Sequence, residues 1–270
     1  MARSWTLIAL CVIALAPDGG AAPATETGFL DRTVAVKGVT YRYQVYLPDD
    51  YDASKTYPVI LFLHGAGERG DDGLLQTQVG LGAAVRLNRH RFPFIVVFPQ
   101  ARRETLWIGD MAAQALVALD RTLQEFRGDS RRTYLAGLSM GGYGTWLVAA
   151  QNPGRFAAIV PICGWVTLPS VKLPDDRAGL LRESNPFLSS ENPYAAAASK
   201  IGKTPTWIFH GAADPVVSVD ESRKMSAALK ELGGDVRYNE YEGVSHNSWD
   251  RAFAEAELVP WLLSHRLPER

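Results

Sequence analysis

Two uninterrupted apolar runs, Val59–Leu63 (VILFL) and Phe94–Phe98 (FIVVF), constrain this chain more than any other feature. A strand with one wet face alternates apolar and polar residues. A strand apolar at every position must be covered on both faces, and crossover helices on either side of a parallel sheet provide that cover. The surrounding pattern agrees. Thr33–Lys37 and Tyr41–Leu47 alternate, as a half-buried antiparallel pair would, and 76–88 has room for a helix. Met111–Phe126 places Leu116, Leu119, Leu123 and Phe126 on one helical face. Strand and helix patterns then follow in turn: strand 133–136, helix 140–151, strands 157–162 and 206–209, helix 220–232, strand 236–241 and a closing helix 251–263. This rhythm predicts an α/β fold, a doubly wound and mostly parallel sheet around one core. Gly164–Lys200 breaks the rhythm with Pro169, Pro174, Pro186 and Pro193. It is too long for a simple connection and is expected to form a short cap-like excursion.

The amino terminus reads differently. Arg3 precedes an apolar run from Trp5 to Ala16, Pro17-Asp18-Gly19-Gly20 breaks it, and Ala22-Pro23-Ala24 offers small residues for cleavage. That is the pattern of a secretory signal over 1–24, leaving 25–270 as a single catalytic domain. The run is too short to span a bilayer comfortably, so no stable membrane anchor is expected after cleavage. The expected location is periplasmic or secreted. Cleavage would remove Cys11 and leave Cys163 without a disulfide partner, so stability must rest on packing. Lysine and arginine (28) nearly balance aspartate and glutamate (29), giving a net charge of −1 and no broad basic field for nucleic acid.

Chemistry concentrates in Gly137-Leu138-Ser139-Met140-Gly141, a G-x-S-x-G between a predicted strand and a predicted helix. A sharp strand-to-helix turn exposes the serine hydroxyl, and the helix amino terminus adds positive potential where an oxyanion would develop. A serine hydroxyl needs a base, and the base needs an orienting acid. Downstream stand His210, His246 and His265. His246 lies after the last predicted strand, where carboxyl ends deliver residues to a shared crevice, and is the expected base. His210 is expected to support its own turn, and His265 to be solvated in the tail. Asp214, in HGAADPVV, is the expected acid, with Asp220 as the alternative. The Met140 amide and one from His64-Gly65-Ala66-Gly67-Glu68-Arg69-Gly70 would form an oxyanion hole. Ala66 is favoured there, and Gly67 is the fallback.

The segments LFLHGAGERG, GLSMGGYGTW, IFHGAADPVV and YEGVSHNSW, in this order, resemble a bacterial α/β-hydrolase family. Its members are described as predicted peptidases or as phospholipase/carboxylesterase-like and dienelactone-hydrolase-like proteins. Feruloyl esterases and polyhydroxyalkanoate depolymerases are their relatives. The resemblance runs from about Tyr41 to Leu263. It implies the α/β-hydrolase fold, Ser139, Asp214 and His246 as a catalytic triad, Ala66 at the oxyanion position, and no metal or organic cofactor.

Trp107, Trp165 and Trp249 each follow a predicted strand or flank a catalytic loop and are candidates to line the substrate pocket. Cys163 reads as a small buried apolar residue. The expected activity is hydrolysis of short or medium acyl esters or aromatic-acid (feruloyl-type) esters, free or polymer-linked. Phospholipase, polyester depolymerase and serine peptidase activities are the alternatives on the same fold. A prolyl-oligopeptidase-type peptidase is disfavoured because such enzymes usually carry a large gating domain. The alternative outside enzymes is a binding protein that retains the fold.

Overall fold

The computed structural model describes residues 26–167, 179, 181 and 183–269. The signal-segment expectation and Cys11 lie outside these residues, as do 168–178 of the proposed cap.

The strands are β1 (Gly28–Val36), β2 (Val39–Leu47), β3 (Tyr57–Leu63), β4 (Ile95–Pro99), β5 (Gly128–Leu138), β6 (Ala158–Ile162), β7 (Thr206–Gly211) and β8 (Val236–Tyr241). They form one sheet in the order β1-β2-β4-β3-β5-β6-β7-β8. The β1–β2 and β2–β4 pairs are antiparallel, and every pair from β4 through β3 to β8 is parallel. The helices are α1 (Leu81–Leu87), α2 (Gly109–Glu125), α3 (Met140–Gln151), α4 (Pro193–Ile201), α5 (Asp220–Glu231), α6 (Trp249–Ala254) and α7 (Leu258–Ser264).

The continuous apolar runs serve two cores at once. Val59, Leu61 and Leu63 point into a core shared with α2, α3, α4 and α5, while Ile60 and Phe62 point into one shared with α1, α6 and α7. Each fully buried leucine or phenylalanine contributes roughly 1.5–3 kcal/mol, so both layers are needed to hold the central strands.

Two expected helices are interrupted. Residues 76–88 form a 3-10 turn, Leu75–Thr77, and then α1, because the chain swings through Gly80 at φ +66. The closing helix divides into α6 and α7. Pro260 cannot donate to a helical carbonyl, and its ring would collide with the carbonyl of Ala256, so a helix containing it cannot run back through that residue.

The chain leaves β3 for β4 on one side and returns to β5 on the other. This reversal opens a crevice at the carboxyl ends of β3 and β5, where Leu63 and Gly137 are register partners. After β6, Glu221 at the start of α5 fastens the departing chain. Its carboxylate accepts the Val166 and Thr167 amides at 2.7 and 3.1 Å. It also takes the Thr167 hydroxyl at 2.5 Å and the Tyr194 hydroxyl, from α4, at 2.8 Å. Helix α4 packs between α3 and α5.

Candidate active site

β5 ends at Leu138 and α3 begins at Met140, so Ser139 makes the whole turn alone. Its backbone takes φ 53 and ψ −116, a conformation that costs a non-glycine residue on the order of 1–3 kcal/mol. The adjacent strand β6 and helix α3 hold it there. The Ser139 amide donates to the Ile162 carbonyl at 2.9 Å, and the Tyr143 amide donates to the Ser139 carbonyl at 3.0 Å. The motif's second glycine is set by proximity: a Cβ on Gly141 would lie 1.8 Å from the Leu63 carbonyl oxygen.

His246 comes from the loop between β8 and α6, and Asp214 from the turn after β7. Backbone bonds stitch these loops together, Ala212 N–H to the Tyr241 carbonyl at 2.9 Å and Ala213 N–H to the Val244 carbonyl at 3.0 Å. His246 Nε2 lies 2.8 Å from Ser139 Oγ, across 107 positions of sequence. His246 Nδ1 lies 2.7 Å from Asp214 Oδ2. A carboxylate only accepts, so Nδ1 carries the proton and Nε2 offers its lone pair to the serine hydroxyl. The Asp214 side chain is fully buried, whereas the imidazole of His246 keeps 19% of its surface in solvent. Burial pushes the Asp214 carboxyl up, but hydrogen bonds from His210, His246 and the Val217 and Val216 amides outweigh it and hold the group well below the usual carboxylate range. The alternative acid, Asp220, instead pairs with Arg223 at 2.9 Å.

The loop after β3 follows the carboxyl end of that strand, with Ala66–Glu68 in a 3-10 turn and Ala66 and Gly67 exposed. Beneath it, His64 is buried, with Nδ1 2.6 Å from the Gly65 carbonyl oxygen and Nε2 accepting the Ala101 amide at 3.0 Å. An N–H donor at Nε2 requires a lone pair there, so the proton is on Nδ1 and the ring is neutral. Burial reinforces this, bringing the imidazole down to about 4. The Gly65 carbonyl and the Ala66 N–H belong to one planar peptide. Fixing the carbonyl therefore fixes the direction of that amide. The Met140 amide lies in the first turn of α3, where N–H groups have no acceptor within the helix.

The tryptophans divide. Trp107 is fully buried and donates from Nε1 to the His64 carbonyl at 3.0 Å, so it is a core residue and not a pocket wall. Trp165 stacks on Tyr143 with centroids 5.2 Å apart, and Trp249 meets His246 edge-on at 5.5 Å. A cavity of about 310 Å³ instead lies among Tyr41, Arg69, Leu106, Ile108, Met111 and Leu181. His265, expected to be solvated, packs edge-on against Trp261 at 4.8 Å. His210 supports its own turn as expected, through the Val217 carbonyl at 3.1 Å, but sequence reasoning missed that it also reaches Asp214 and that His64 is built into the site. The signal was present in the two echoing phrases FLHGAG and IFHGAA, each with a histidine at a strand end. Cys163, Asp214 and His246 present ligand-type atoms within 4.8 Å of one another. Those of Asp214 and His246 are committed to hydrogen bonds, so the grouping is a bonded network and not an open cation site.

A profile of the prolyl oligopeptidase family matches residues 104–264. The chain belongs to that family. The prolyl oligopeptidase family match spans α2 through α7 and includes Ser139, Asp214 and His246. Among solved structures, a thermostable esterase aligns at TM-score 0.72 with 30% identity, covering 88% of this chain and 63% of that one. A ferulic acid esterase aligns at TM-score 0.67 with 18% identity, covering 88% and 98%, which speaks to the fold alone. An uncharacterized secreted protein of Arthroderma benhamiae is 26% identical over 227 residues, 78% of this chain and 23% of that protein. The chain thus spans about a quarter of that curated relative. The fold is that of the α/β-hydrolases.

Proposed function

We propose that this protein is a carboxylesterase that cleaves short or medium acyl or aromatic-acid esters through an acyl-enzyme. The observation that carries this reading is the continuous hydrogen-bond path from Ser139 through His246 to Asp214, at 2.8 and 2.7 Å. Ser139 Oγ attacks the ester carbonyl carbon while His246 Nε2 takes its proton, and Asp214 stabilises the imidazolium. The carbonyl oxygen becomes an oxyanion facing the Ala66 and Met140 amides, which contribute a few kcal/mol each. Collapse expels the alcohol, which takes the proton from His246. Water then repeats the sequence on the acyl-enzyme and frees the acid. Every group required is a protein group, so the reading calls for no cofactor.

Hydrolysis of p-nitrophenyl acetate and butyrate tests it. The expected result is turnover that Ser139→Ala abolishes; no turnover, or turnover surviving that substitution, overturns it. The family match favours one second reading, a serine peptidase. A proline-containing peptide p-nitroanilide cleaved with a higher kcat/KM than any ester would establish it. We further propose that the protein is exported. The 1–24 pattern and the secreted relative support this, and no helix among the described residues is long and apolar enough to cross a membrane. Mass spectrometry of the protein from its host would show an amino terminus near Thr25 if the proposal holds.

A further inference from the structure

The buried carboxylate of Asp214 serves two histidines. His246 Nδ1 approaches Oδ2 at 2.7 Å, and His210 Nε2 approaches the same oxygen at 3.2 Å. His210 Nε2 also lies 3.1 Å from the Val217 carbonyl oxygen. A carboxylate and a carbonyl both only accept, so Nε2 must carry a proton shared between them. His210 Nδ1 lies 2.7 Å from Ser222 Oγ, and in the neutral ring its lone pair accepts a hydrogen bond from the serine hydroxyl. The His210 and Asp214 side chains are both fully buried. Four residues thus lead to Ser139 in one chain: Ser222 donates to His210, His210 and His246 both donate to Asp214, and Ser139 donates to His246.

We propose that His210 is a positioning residue of the hydrolytic reaction: as a second donor to Asp214 Oδ2, held in its tautomer by Ser222, it lowers the basicity of His246 and extends activation of Ser139 towards acid. This rests on the serine hydrolase reading above. The physical reason is charge sharing. Each donor on a buried carboxylate reduces the negative potential left to stabilise the imidazolium of His246, which therefore releases its proton at lower pH. Other groups around His210 do not supply the effect. Glu240 is its register partner on β8, but its carboxylate is held by Arg223 at 2.6 and 2.9 Å and by the Tyr238 hydroxyl at 2.7 Å. Cys163, beyond the end of β6, is a buried thiol that burial keeps protonated. From α5 the facing group is Ser222, and from the loop after β8 it is His246, on the same carboxylate oxygen.

The test is the pH dependence of Ser139 phosphonylation by a fluorophosphonate, which needs no knowledge of the substrate. His210→Leu removes the donor, His210→Gln returns an N–H at similar reach, and Ser222→Ala removes only the group that sets the tautomer. The expected result is an acid limb moved up by about one pH unit in His210→Leu, a tenfold change in the protonation equilibrium. Ser222→Ala should shift it the same way by less, and His210→Gln should stay near wild type. A limb that stays in place, or moves down, in the folded Leu and Ala variants overturns the proposal, even if labelling slows uniformly. Should His210→Leu fail to fold, Ser222→Ala decides alone. Should wild-type Ser139 resist labelling, the hydrolase reading fails, and NMR titration of His246 in the same variants still tests the coupling.

Discussion

His64 ties acid stability to the geometry of the crevice. Its ring is neutral and buried, with Nε2 accepting the Ala101 amide at 3.0 Å and Nδ1 2.6 Å from the Gly65 carbonyl oxygen. Its folded value is about 4, against an ordinary 6.5. The folded value is the lower one, so the unfolded chain takes up a proton first as pH falls. The contribution of His64 is full above pH 6.5 and drains away between 6.5 and 4. At about 1.4 kcal/mol per pH unit this amounts to roughly 3 kcal/mol in all, and about 2 kcal/mol by pH 5. His64→Asn supplies an amide N–H towards Gly65 and cannot titrate. Urea unfolding followed by tryptophan fluorescence at pH 7 and pH 5 should show the wild type losing about 2 kcal/mol more than the variant, with equal m-values. His265 is also held down by burial, but both proteins carry it and its effect cancels. An equal loss in the two proteins would refute the assignment of this acid sensitivity to His64.

Three other outcomes are expected. Asp214→Asn can donate to His246 Nδ1 and so selects the wrong tautomer; kcat on a p-nitrophenyl ester should fall about 10³–10⁴-fold with an unchanged circular dichroism spectrum. Gly141→Ala places a methyl 1.8 Å from the Leu63 carbonyl oxygen. Overpacking of that kind costs about 3 kcal/mol, which calorimetry should register as a Tm roughly 10 °C lower. Cys163 is pushed up to about 12 by burial, so the native protein should resist iodoacetamide at pH 8 with activity intact and react in urea.

What the sequence displayed was whatever is local or periodic. The apolar runs at Val59 and Phe94 declared two-sided burial, and the turn from Leu138 to Met140 declared its sharpness through two glycines. Asp214 and His246 could be singled out because each follows a strand end and strand ends converge. Less legible was anything decided by what packs opposite. Trp107 follows a strand like the other two candidates, yet its indole is consumed by the His64 carbonyl. The break at Pro260 was readable in principle, since the proline sits inside the expected helix, but the apolar periodicity of Leu258, Val259 and Leu262 masked it. His210 and His64 were hardest. A histidine that ends a strand looks the same in sequence whether it serves only its own turn or also contacts the Asp214 carboxylate, and only its partners in space distinguish the two.

Glu221 fastens the chain just after it leaves the sheet, at Val166 and Thr167, and again where helix α4 begins, at Tyr194. A single carboxylate therefore acts as the drawstring of everything between those points. Once a loop is closed at its base, lengthening it costs only about 0.6 kcal/mol per doubling. The turns that carry Ser139, Asp214 and His246 leave from other strand ends, after β5, β7 and β8, and do not share that base. Insertions between Thr167 and Tyr194 can thus lengthen this connection while Ser139, Asp214 and His246 keep their places. This is where the lineage could vary in length with least disturbance to its core.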